Sequence, residues 1–84
     1  MTVNPAMARI LAKKLSTLYQ SDDFYGIGIC AVCGEFSGDY LDPYLSQGTC
    51  SHCGDSAVYG AYALVLDLES QYPDLKLPRV PHFA

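Results

Sequence analysis

The motif Cys-x-x-Cys-Gly occurs twice in this chain, as Cys30-Ala31-Val32-Cys33-Gly34 and as Cys50-Ser51-His52-Cys53-Gly54. The two copies use all four cysteines, and sixteen residues separate Cys33 from Cys50. Paired thiolates at this spacing can close a tetrahedron around one Zn²⁺, so Cys30, Cys33, Cys50 and Cys53 are the candidate ligands. The glycine after each second cysteine fits the same reading. A backbone that turns its N–H groups toward a thiolate commonly needs a residue there that is free to take positive φ.

A chain of 84 residues has room for one domain and buries only a modest core, so a metal staple suits it. In small metal-folded peptides zinc contributes about 10–16 kcal/mol of apparent free energy near neutral pH. The middle of the chain is therefore expected to lose its structure in strong chelator. The other use of four cysteines is two disulfides in an exported protein. Against that, Met1-Thr2-Val3-Asn4-Pro5 leads into an amphipathic segment, with Lys13 and Lys14 where a secretory signal would be apolar. The longest apolar run, Ala61 to Leu66, is far too short to span a bilayer. The expectation is a cytoplasmic protein with reduced thiols.

Charge is segregated along the chain. All nine acids lie between Leu15 and Leu75, where there is no Lys or Arg. The basic residues are Arg9, Lys13 and Lys14 near one end and Lys76 and Arg79 near the other. The formal net charge is −4, and four thiolates holding one dication take it to about −6. Such a body repels phosphate, which argues against direct nucleic-acid binding. It suits either plain solubility or docking on a basic surface of a protein partner.

Asn4-Pro5 predicts a helix start, with Asn as N-cap and Pro at the first helical position. Met7, Ile10, Leu11, Leu15 and Leu18 follow at helical spacing, giving a helix over 5–20 that packs on the metal module. Phe24 to Ile29 reads as a strand entering the first knuckle, and Glu35 to Gly38 as a short partner strand within a 24–72 body. The stretch 56–72 reads as a second helix capped by Asp55-Ser56, or as a long strand. Ala and Leu favour helix, while Val, Tyr and Gly60 oppose it. Residues 73–84 are too rich in proline for a helix and should run as an extended tail. The fold class expected is a small α+β domain.

The residues from about Tyr25 to Gly54 resemble the zinc-ribbon group, whose members hold one structural Zn²⁺ between two such knuckles. That resemblance covers about a third of the chain and implies the same four ligands. Tyr25-Gly26, Cys33-Gly34-Glu35, Leu41 and Pro43 further resemble the zinc region of DksA/TraR-type regulators, which bind in the secondary channel of bacterial RNA polymerase. The chain departs from that family in having Asp39 and Asp42 where its loop is basic, and one short helix where it has a coiled-coil arm. Small acidic zinc ribbons also resemble accessory proteins of phages and mobile elements. Rubredoxin-like iron uses the same paired knuckles, but the shorter spacing here favours zinc.

Four thiolates leave a metal no open position, so the site argues for structure over catalysis. A thioredoxin-like role would need an exposed Cys-x-x-Cys at a helix start in an α/β fold, which this pattern does not supply. His52 reads as an exposed knuckle residue, and His82 as a tail residue with no metal role unless the tail folds back. Asp39, Tyr40, Asp42, Tyr44 and Leu45 form the candidate partner surface, since tyrosine gives large contact area at low entropic cost. The competing role for those tyrosines is cover for the metal site and the first helix. Pro78-Arg79-Val80-Pro81 fits P-x-x-P, but a tail packed through Leu75, Leu77 and Phe83 is the better reading. The function expected is a non-enzymatic zinc-binding interaction module, a small regulator or inhibitor of a host machine. A nucleic-acid-associated zinc ribbon and a structural subunit of a larger assembly are the alternatives.

Overall fold

Asn4 opens the first helix as its side chain allows: Oδ1 accepts from the amides of Ala6 at 2.9 Å and Met7 at 3.4 Å, with Pro5 in the first turn. The computed structural model describes residues 3–21, 24–37 and 48–80. Helix α1 spans Pro5–Tyr19 and is followed by a 3₁₀ turn, Phe24–Gly26. Strand β1 (Gly28–Cys30), strand β2 (Phe36–Ser37) and strand β3 (Val58–Gly60) come next, then helix α2 (Ala61–Gln71). The α+β class holds.

The three strands form one antiparallel sheet in the order β2-β1-β3. Ile29 stands opposite Phe36 on one side and Tyr59 on the other, while Cys30 faces Val58. Val58 also exchanges both backbone hydrogen bonds with Gly48 at 3.0 Å, which brings the second knuckle alongside the first. The sheet thus carries both cysteine loops at one end.

Two boundaries differ from the sequence reading. The strand expected over Phe24 to Ile29 begins only at Gly28, because Phe24 to Gly26 turns to put Phe24 in the core edge-on to Tyr19, ring centres 4.9 Å apart. The stretch 56–72 is neither all helix nor all strand: it changes type at Gly60. Val58 and Tyr59 extend the sheet, and the Ala-Leu sequence that follows forms the helix. Asp55-Ser56 does not cap it. Gly60 is the N-cap, without a side-chain bond, and the amide of Ala61 instead donates to the Ile27 carbonyl at 3.1 Å.

The core lies between the helices and the sheet. Leu11, Leu15, Phe24, Ile29, Leu64 and Leu68 are fully enclosed, each stabilising the fold by about 1.5–3 kcal/mol. Helix α1 is rotated from the stripe that spacing suggests. It buries Ala8 and Ala12 beside Leu11 and Leu15, leaves Met7 and Leu18 half-buried, and exposes Ile10 to 48 %. The physical reason is close approach, since alanine brings a helix axis nearer to its neighbour than isoleucine does. After α2 the chain continues without regular structure to residue 80, resting Leu75 and Leu77 on the core and burying Val80. Val3 is clasped by the end of α2: its amide donates to Gln71 Oε1 at 2.7 Å and the Tyr72 hydroxyl donates to its carbonyl. Among the described residues no helix is long and apolar enough to cross a membrane.

Candidate metal centre

Each knuckle is a tight loop whose backbone bonds are fixed by the motif itself. In the first, the Gly34 amide donates to the Cys30 carbonyl at 2.8 Å and the Cys30 amide to the Glu35 carbonyl at 2.9 Å. The Val32 amide reaches Cys30 Sγ at 3.4 Å and the Cys33 amide reaches the same sulfur at 3.5 Å. In the second, Gly54 bonds to the Cys50 carbonyl and Cys50 to the Asp55 carbonyl, both at 2.9 Å, while the His52 amide lies 3.3 Å from Cys50 Sγ. Both turns need a left-handed residue. Gly34 has φ of 78° and Gly54 of 79°.

The fold brings the four sulfurs together. All four lie within 4.8 Å of one another. Cys30 and Cys53 are 3.6 Å apart, Cys33 and Cys50 3.5 Å, so the first cysteine of each loop meets the second of the other. A tetrahedral ion with metal–sulfur bonds of about 2.3 Å sets sulfurs about 3.8 Å apart, so the cluster is pre-shaped to accept one. No pair is a disulfide; all four cysteines are free. The donor set is all sulfur, and its amide-to-sulfur bonds are those that stabilise negative sulfur.

Protonation follows from that crowding. The Cys53 amide, joined by that of His52, outweighs burial and lowers the Cys50 thiol to about 6. The Asp55 amide works in the same direction on Cys53, but burial and the sulfurs of Cys30, Cys50 and Cys33 push that thiol up to about 12. Cys33 also rises: the Glu35 amide favours its thiolate, but burial and the neighbouring Cys50 and Cys30 sulfurs prevail. One thiolate is comfortable and further ones repel. A bound dication removes that conflict.

Helix α1 supplies a support that the motif does not reveal. Lys14 Nζ donates to the Gly34 carbonyl at 2.6 Å and sits 5.3 Å from the centre of the Phe36 ring. Met7 Sδ and Leu11 lie where a side chain on Gly34 would point, at 3.3 and 4.0 Å. The Ala31 amide donates to the Ala57 carbonyl at 2.9 Å, tying the first knuckle to β3. Lys14 is twenty residues from Gly34. The only sequence hint was its place three residues after Leu11 on the helix.

His52 is exposed and stands outside the sulfur cluster. Asp39, Tyr40, Asp42, Tyr44 and Leu45 lie outside the described residues, as does His82. Compared with protein-family models, curated proteins and solved structures, the chain matches none.

Proposed function

We propose that this protein is a non-enzymatic interaction module, stapled by one structural Zn²⁺, that binds a protein target as a small regulator or inhibitor. The observation that carries this reading is the closed four-sulfur cluster. Four thiolates fill a tetrahedral ion's positions and leave none for water or substrate, so the metal's work is to hold loops in place. Zinc suits the site better than iron because the knuckles are closely spaced. Holding both ends of the segment between the knuckles lowers the entropic cost of binding through it. Asp39, Tyr40, Asp42, Tyr44 and Leu45 are the proposed contact residues there, for a partner with basic and apolar features. A cytoplasmic setting is part of this proposal, since reduced thiols stay free to hold the metal. The target in this proposal is a host protein machine of the kind that phage or mobile-element proteins block.

The test is an affinity pull-down from host lysate, with and without nuclease, read by mass spectrometry. One protein enriched under both conditions, and lost with Tyr44→Ala or Asp42→Lys at unchanged zinc content, supports the reading. Recovery that vanishes with nuclease overturns it in favour of a nucleic-acid-associated ribbon. Recovery of the bait alone overturns it in favour of self-assembly.

A further inference from the structure

The sequence places its basic residues at opposite ends, yet the fold gathers four of the five along the outer side of α1. One groove there, of about 540 Å³, runs between the helix rows Ile10-Lys14-Leu18 and Lys13-Thr17 and is bounded by Phe36 of β2. A second, of about 420 Å³, is lined by Arg9, Lys13, Leu75 and Lys76, because the chain after α2 returns beside the helix. Among the described residues no acid lines either groove; Asp74 shares the adjoining one with Arg9. Ile10 at 48 % and Phe36 at 42 % are two of the three large hydrophobic residues left exposed among the described residues. On a protein of net charge −4, this is a cationic rim around an apolar floor.

We infer that this face of α1 takes an amphipathic helical segment of a partner protein, with bulky apolar side chains one turn apart and flanked by Asp or Glu. The apolar floor supplies the contact area, and a groove of this volume is of the size that seats large side chains. The rim sets the partner's sign: Arg9, Lys13, Lys14 and Lys76 attract carboxylates and repel basic segments. Nucleic acid fits less well. The Phe36 ring already has an ammonium over its face where a base would stack, and the acidic body repels a phosphate chain. The metal centre also bears on this groove, because Lys14 and Phe36 are set by their contacts with the first knuckle and β1. The inference goes beyond the function proposed above: this partner is of opposite charge, and neither surface needs the other.

The test is selection of displayed random peptides, each as long as α1 at 15 residues, on the full-length metal-loaded protein. Winners are remeasured by fluorescence anisotropy against wild type, Ile10→Asp, and Lys13→Glu with Lys76→Glu. All three positions are exposed, so the variants keep their fold; circular dichroism and metal content check this. The expected winners carry Leu, Ile or Phe at helical spacing among acids, and weaken about tenfold or more on each variant. Their binding should also weaken as salt rises. The inference is overturned by basic winners, by winners indifferent to Ile10→Asp, or by no enrichment over bare matrix. It is equally overturned if the protein sediments as a dimer that Ile10→Asp dissociates, since a second copy then covers the face. Tighter binding of single-stranded oligonucleotide or of phosphatidylserine vesicles than of the best peptide overturns it as well.

Discussion

The two knuckles share a backbone and differ in almost everything around it. Their glycines differ by one degree in φ, and their paired amide bonds agree within about 0.1 Å. The first is packed in: Cys30, Ala31 and Gly34 are buried, and α1 presses on it through Met7, Leu11 and Lys14. The second stands open, with Ser51, His52, Cys53 and Gly54 all exposed and only Cys50 enclosed. Five residues of motif are enough to dictate a loop. Whether that loop belongs to the core is decided by segments far away in sequence.

That contrast can be broken most sharply at the cysteines. Cys30→Ser removes a ligand and leaves a hydroxyl in an apolar site of 0 % exposure, so it should lose both metal and the cooperative unfolding transition. Cys53→Ser removes an exposed ligand, and water can complete the coordination; it should still fold with metal, bound more weakly. Equal damage from the two, by calorimetry and metal analysis, would make the knuckles energetically equivalent.

Acidification probes the pair together. Binding metal keeps the thiols ionised, so their folded pKa values fall below the unfolded value of about 8.5. Groups depressed in this way contribute stability above pH 8.5 and lose it as pH falls. At neutral pH Cys50, at about 6, has already shed its proton, whereas Cys53, at about 12, must be made to release one. Metal loading at pH 7 should therefore release protons into a weakly buffered solution, and Tm of the loaded protein should drop steadily from pH 8 to pH 5. Proton-neutral loading would contradict the protonation pattern.

The glycines sharpen the comparison further. An alanine at either position meets the cost of left-handed φ, about 1–2 kcal/mol. At Gly54 nothing lies within 4 Å of the new methyl, but at Gly34 it meets Met7 Sδ at 3.3 Å and Lys14 Nζ at 3.6 Å. Denaturant unfolding should show Gly34→Ala as the worse of the two. The smallest effect is expected from Lys14→Met, which keeps the stem but removes a half-buried hydrogen bond, at about 1 kcal/mol once its partial exposure is allowed for. The second knuckle has no such support among the described residues, and an equal loss from His52→Ala would remove the asymmetry.

Local chemistry was legible in the sequence, and this explains what could and could not be read. The knuckles, the positive-φ glycines and the Asn4-Pro5 start depend on neighbours within a few residues. The change from strand to helix at Gly60 was not legible, because Val58 and Tyr59 are held in the sheet by Cys30, Ile29 and Gly48. Nor was the rotation of α1 onto Ala8 and Ala12, which depends on what α2 offers it. The approach of Lys76 to Lys13 needed the path of the whole chain.

The clasp at Val3 also concerns the order of assembly. Its partners, Gln71 and Tyr72, are 68 and 69 residues away, so it closes a loop around nearly everything described. Loop closure at that length costs about 4 kcal/mol in chain entropy, more than two hydrogen bonds return. The clasp therefore forms only once the helices and sheet have already brought those residues near. Deuterium exchange at the Val3 amide should accordingly report the first fraying of the molecule, well before the β1 amides begin to exchange.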